Sequence, residues 1–206
     1  MAKRSKDTLT GGTGDVNPQY ACIQVVPAVS ATGVGSNAVP IVLPVLPNLG
    51  GTQDTAQVVE LLKVDFDFGG LPTPTGTQLQ ATTSLRLAYN AATASAAITA
   101  GTAHIGNPLI ITENSTTYQS YFVGGAVGAG VAFATVSEHN RQVDLTDQAG
   151  HGLLVAVPTI WFGLGFNGWP VNSAPGGPSC RVTYRLKRVR LIEYIGIVQQ
   201  QSGPQI

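Results

Sequence analysis

The sequence predicts an all-β protein: a single jelly roll, an eight-stranded antiparallel double-sheet sandwich, preceded by a flexible N-terminal arm. Three observations carry that expectation. Apolar residues recur every second position in many short runs, which is the strand period. The runs are separated by segments rich in Gly, Pro, Asn and Ser, which supply turn chemistry. No stretch shows a convincing helical period. A chain of 206 residues suits one such domain.

Residues 1–19 hold Lys, Ser, Thr, Gly and Asp without apolar periodicity and read as a mildly basic, flexible arm. A domain is expected over 20–199 and a short tail over 200–206. Tyr20–Val26 is the first strand, with Ile23 and Val25 inward, closed by Pro27. Val39–Leu46 is apolar but broken by Pro40 and Pro44, which confines it to an edge strand or an extended loop. Gln57–Phe68 is the clearest central strand. Simple alternation turns Leu62, Val64, Phe66 and Phe68 one way and Leu61, Lys63, Asp65 and Asp67 the other. Gly69 to Gly76 is a loop. Thr82–Tyr89 follows, with Leu85, Leu87 and Tyr89 inward. Residues 91–103 are rich in Ala and Thr and fit either a short helix or a loop.

Leu109–Thr112, Tyr118–Val123, Val131–Ser137, Arg141–Leu145 and Gly152–Val157 are further strands. In Thr159–Phe166 the residues Ile160, Phe162, Leu164 and Phe166 share a face. Asn167–Ser179 is a Gly/Pro loop, in which Trp169 is equally an anchor or a contact between subunits. The last strand is basic. Val182, Tyr184 and Leu186 alternate with Arg181, Thr183, Arg185 and Lys187, and Val189 and Leu191 continue in the opposite phase. One extra residue near Lys187–Arg188 explains that change, so a β-bulge is expected there.

Charged residues make up 11% of the chain, against about 25% in an ordinary soluble protein. Such a surface calls for cover by other copies of the chain. Net charge is zero, which excludes a general polyelectrolyte binder with a strong basic field. The cations lie at the ends instead: Lys3, Arg4 and Lys6 on the arm, and Arg181, Arg185, Lys187, Arg188 and Arg190 in the last strand. Lys3, Arg4, Lys6, Arg185, Lys187, Arg188 and Arg190 are the candidate phosphate contacts. The alternative for the strand cations is pairing with Asp65, Asp67 and Glu193, and sequence does not rank the two.

Little else suggests chemistry. His104, His139 and His151 lack metal-site spacing, and no nucleophile elbow or phosphate loop occurs. Asp65 with Asp67, and Asp144 with Asp147, are weak candidates for a cation at a subunit contact. Solvated carboxylates are the preferred reading, so no metal and no cofactor are expected. Cys22 and Cys180 read as small buried hydrophobes rather than a disulfide. Asn114-Ser115-Thr116 matches the glycosylation sequon. Met-Ala-Lys-Arg-Ser-Lys precedes polar residues, so no signal peptide is expected and the sequon is a chance match. No window is long enough for a transmembrane helix.

Four segments carry a family likeness: KRSKDTLTGGTGDVNPQ over 3–19, DLTDQAGHG over 144–152, VTYRLKRV over 182–189 and EYIGIVQ over 193–199. They resemble capsid proteins of environmental circular single-stranded DNA viruses, a circovirus-like group that encodes a replication initiator. The resemblance spans the first twenty residues and the final third. It implies a virion protein, not an enzyme, that self-assembles into a homo-oligomeric icosahedral shell, T=1, around a single-stranded DNA genome without a membrane. One departure bears on mechanism. Related circoviruses carry long arginine-rich arms, and this arm has only Lys3, Arg4 and Lys6. Two other classes compete. A jelly-roll carbohydrate-binding or adhesin module predicts a secretion signal and an aromatic sugar cleft. A cupin-type enzyme predicts clustered histidines with a carboxylate.

Overall fold

The computed structural model describes residues 18–26, 32–46, 54–69, 78–95, 107–123, 131–136, 140–147, 149–169 and 175–202. Within them the period-2 runs form ten strands: β1 (Gln19–Gln24), β2 (Gly35–Val42), β3 (Thr55–Asp67), β4 (Gln78–Ala88), β5 (Ile110–Val123), β6 (Val131–Val136), β7 (Asn140–Asp144), β8 (Leu153–Val155), β9 (Thr159–Asn167) and β10 (Ser179–Arg190). There are two helices, α1 (Ala91–Ala94) and α2 (Leu191–Gln201). One sheet has the order β1-β10-β3-β7, with β8 also on β3. The other has the order β2-β9-β4-β5-β6. All pairings are antiparallel. The chain crosses repeatedly between the sheets, which is the double-sheet jelly roll. A jelly roll of eight strands is expected and ten are described, among them β6 and β8 within the runs Val131–Ser137 and Gly152–Val157.

The inner faces meet in one core. Val59, Leu61, Val64, Phe66, Cys180 and Val182 from the first sheet face Leu85, Leu87, Ile160, Phe162, Leu164 and Phe166 from the second. The Phe66 and Phe162 rings stack across the layer, 6.2 Å between centroids. Each such side chain contributes about 1.5–3 kcal/mol on burial. Trp169 anchors its loop: its Nε1–H donates to Thr83 Oγ1 at 3.1 Å, and its ring meets Tyr118 and Phe166 edge-on. On the outer side of the second sheet α1 lies against β9. A Cβ at Gly163 would stand 1.9 Å from the Ala94 carbonyl oxygen, so this approach needs glycine. Arg86, opposite Gly163 and 2% exposed, pairs there with Glu113 at 2.9 Å.

Several expectations change. Leu109–Thr112 and Tyr118–Val123 belong to one continuous strand, β5. Cys22 is exposed, and only Cys180 is buried. Because Cys22 pairs with Arg181 and Cys180 with Ile23, the two thiols point to opposite faces. Asn114 of the sequon is buried at 4% exposure and accepts from Arg141 Nη1. The expected bulge at Lys187–Arg188 is absent, since β10 pairs without a break there. The register shifts instead opposite Thr183/Tyr184, where β3 passes from Lys63 to Leu61 and Leu62 is skipped. Leu61 therefore turns inward, against the alternation expected of it, and is fully buried.

Val189 changes phase for another reason. It lies on the outer face of β10 and is covered by α2, in a second small cluster with Ala56, Val58 and Ala156. The expected alternation runs to Leu191 and no helix is expected, whereas α2 begins at Leu191. Tyr194, Ile197 and Val198 pack inward, while Ile192 and Ile195 are exposed. Glu193 Oε2 accepts the Arg190 N–H at the helix start, the signature of a capping residue. The residues expected as a tail begin inside this helix. Gln201 is buried, accepts the Ala156 N–H at 2.9 Å and donates to the Leu154 carbonyl at 2.6 Å. Its amide thus satisfies the edge of β8. Gln201→Leu leaves both backbone groups without that partner and is expected to cost about 1–3 kcal/mol, measured as a lower urea midpoint with an unchanged slope.

Candidate nucleic-acid interface

The basic strand and its neighbour place the charges. Outward residues of β10 stand opposite outward residues of β3: Arg181 against Asp65, Thr183 against Lys63, Arg185 against Glu60 and Lys187 against Val58. Asp65 Oδ2 accepts from Arg181 Nε and Nη2 at 3.1 and 3.0 Å, and its Oδ1 lies 2.9 Å from Lys63 Nζ. Glu60 has a fully buried side chain. It accepts from Arg185 Nε, takes the Gly152 N–H at 2.9 Å and has Lys187 Nζ at 3.6 Å. Arg185 Nη2 also donates to the Gly150 carbonyl at 3.2 Å. The cluster therefore fastens the β7–β8 loop to the strand.

Burial alone would push the Glu60 carboxyl upward, but the Arg185 hydrogen bond, the Gly152 amide and the Lys187 charge outweigh it and hold it below its ordinary 4.5. Burial likewise opposes Lys63 and Arg181 at Asp65, and the two cations win, holding it below 3.8.

The candidate phosphate contacts do not share a surface. Lys3, Arg4 and Lys6 lie outside the described residues. Arg185 and Lys187 face outward and are engaged by Glu60. Arg188 and Arg190, without a bulge to turn them, stand on the opposite side of the strand beside Gln57 and Thr55. Both are exposed, and neither has an ion pair among the described residues. Of the proposed pairing acids, Asp65 takes Arg181, Asp67 Oδ1 takes the Gly69 N–H, and Glu193 caps α2. Glu60 was not singled out from sequence. The signal was present: one carboxylate inside the apolar run Val58-Val59-Glu60-Leu61-Leu62 requires a cationic partner.

The weak cation candidates are dispersed. Asp144 stands opposite Lys63 and closes a turn by accepting from Thr146 N and Oγ1. Asp147 accepts the N–H groups of Ala149 and His151, with His151 Nδ1 at 3.2 Å. These bonds hold both carboxyls below the usual range. Among the described residues no group of three or more His, Cys, Asp or Glu comes together. A cavity of about 490 Å³ beside Asp65 and Asp67 is lined by Arg141 and Arg181 as well, so its charge is mixed. His104 and His139 lie outside the described residues. No described helix is long and apolar enough to cross a membrane.

Glu60→Ala removes the counter-ion of Arg185 and is expected to destabilise the fold by about 3 kcal/mol, read by denaturant unfolding. The pH dependence has a definite sign. Folded carboxyls held below their unfolded values add stability above the unfolded value and lose it as pH falls through the folded one. Stability should therefore fall progressively below pH 4.5, and the slope should flatten in Glu60→Gln, as measured by unfolding between pH 7 and pH 2.

No protein-family model matches the chain, and no curated protein matches it. Solved structures do. An unassembled VP1 pentamer of Washington University polyomavirus superposes with a TM-score of 0.50 at 12% identity, covering 84% of this chain and 94% of that one. The unassembled KI polyomavirus VP1 pentamer gives 0.49 at 12%, covering 84% and 95%. The human polyomavirus 6 VP1 pentamer gives 0.45 at 14%, with the same coverages. At such identity the likeness concerns the fold, and the first of these structures shares with this chain the double-sheet jelly roll.

Proposed function

We propose that the chain is a viral capsid subunit, which self-assembles into a small icosahedral shell, T=1, around a circular single-stranded DNA genome. The observation that carries this reading is the jelly roll itself, of the kind seen in a VP1 subunit, in a chain with only 11% charged residues. So bland a surface is suited to being covered by identical neighbours. Contacts repeated over many copies can each be weak and still hold a shell. The working location of the protein is the virion.

Genome contact falls to Lys3, Arg4 and Lys6 with Arg188 and Arg190. Arg185 and Lys187 serve the fold, because both are already engaged by Glu60. Five cations per subunit are a modest set, so DNA is held loosely and without sequence preference.

Negative-stain microscopy of purified protein is expected to show uniform round particles, and a species that stays monomeric at every salt and pH would refute the capsid reading. Removing residues 2–7 should leave shells intact and lower their DNA content, measured by the ratio of absorbance at 260 and 280 nm. Arg188→Ala with Arg190→Ala should reduce the salt slope of single-stranded DNA binding by about 1.4, while Arg185→Ala should lower thermal stability instead.

A further inference from the structure

The two sheets have unequal edges. In the first, β7 carries Arg141 and Asp144, and β8 has only three residues. In the second, β2 carries Pro40. Charge, proline and shortness are the devices that keep an edge from pairing. The remaining edge strands lack all three. β1 reads Gln-Tyr-Ala-Cys-Ile-Gln and β6 reads Val-Ala-Phe-Ala-Thr-Val, with six residues each. Among the described residues no further strand pairs with either, so each offers about 20 Å of backbone edge.

The backbone of β1 has a known sense. Val25 donates its N–H to the Pro178 carbonyl, on the β10 side. Backbone groups alternate sides along a strand, so Tyr20, Cys22 and Gln24 turn their N–H and C=O groups to the open side. Beyond them Asn37 Nδ2 donates to the Val26 carbonyl, which confirms that sense and ties β1 to the flank of β2. On the other flank Arg141 of β7 donates to Asn114 of β5, and β6 lies outside β5. The two unprotected edges thus stand on opposite flanks of the molecule. Tyr20 and Val26, each 71% exposed, leave apolar surface beside the β1 edge.

We infer that β1 of one copy pairs with β6 of the next, so that a second copy of this chain occupies each open edge. The edges match in length and in lack of charge, and their opposite placement lets every added copy cover one edge and present another. A contact between two different surfaces of identical subunits closes a ring when the rotation between copies permits. The inference deepens the capsid reading and rests on it.

Cys22→Pro removes one edge-facing N–H and spares the bonds to β10. Gln142→Pro is the matching change on β7, where the Leu145 N–H bound to the Leu62 carbonyl sets Gln142 toward the open side. By size-exclusion chromatography with light scattering, Gln142→Pro should assemble like the unmodified protein and Cys22→Pro should remain monomeric. If Cys22→Pro assembles normally, edge pairing is wrong while the capsid reading stands. If the unmodified protein never assembles, the capsid reading falls and this inference with it. Should Cys22→Pro fail to fold, amide exchange in the unmodified protein decides. Tyr20, Cys22, Gln24 and alternate residues of β6 should slow by at least about tenfold on assembly. Unchanged rates, or protection of β1 without β6, which would mean another segment on that edge, overturn the pairing.

Discussion

One skipped residue in β3 governs the layout of the first sheet. Strict alternation back from Val64 would turn Leu62 and then Glu60 toward the core, and leave Leu61 and Val59 outside. A carboxylate inside the sandwich would cost far more than any packing there returns. The register shift at Leu62 reverses the phase. Leu61 and Val59 enter the core, both fully buried, and Glu60 meets Arg185 and Lys187 on the outer face. At the same place the strand changes edge partners, from β7 on Lys63–Asp67 to β8 on Val59–Leu61. The Leu62 carbonyl is not lost, since it accepts the N–H of Leu145 in the connecting loop.

That arrangement also decides what the basic strand is for. A row of cations along one strand looks like a nucleic-acid surface when read alone. In the sheet, each of Arg181, Arg185 and Lys187 finds a carboxylate on β3. Pairing offsets part of this charge and fastens the β7–β8 loop, which weakens the field a polyanion would feel. Arg188 and Arg190, at the strand's end, are exposed and have no ion pair among the described residues. Electrostatics along this strand serves cohesion first.

The C-terminal helix illustrates a different trade. It covers four outward-facing apolar side chains that the main core does not reach. Its inner face packs on them, while Ile192 and Ile195 remain in solvent. Gln201 completes the attachment by bonding β8 through both ends of its amide. A short edge strand is thereby capped from within the same chain, which leaves β1 and β6 as the edges of the described strands with neither charge nor proline.

The jelly roll, most strand positions, the edge character of β2 and the inward faces of β4 and β9 were all legible in sequence. Period-2 alternation depends only on the pleat, and Leu85, Leu87, Phe162 and Phe166 obey it locally. Phase errors arose where a distant segment intervened. Val189 looked like the product of a bulge because nothing near it in sequence reveals that a helix lies over it. Leu61 was assigned outward because the skipped residue becomes visible only against β10. The candidate interface was legible as a list of cations and no further. Whether an arginine is neutralised or available depends on which carboxylate stands opposite, and Glu60 and Arg185 lie 125 positions apart. Composition and local period therefore determined the fold class and the scarcity of charge. Register between remote strands, which no local pattern encodes, decided which charges remain exposed.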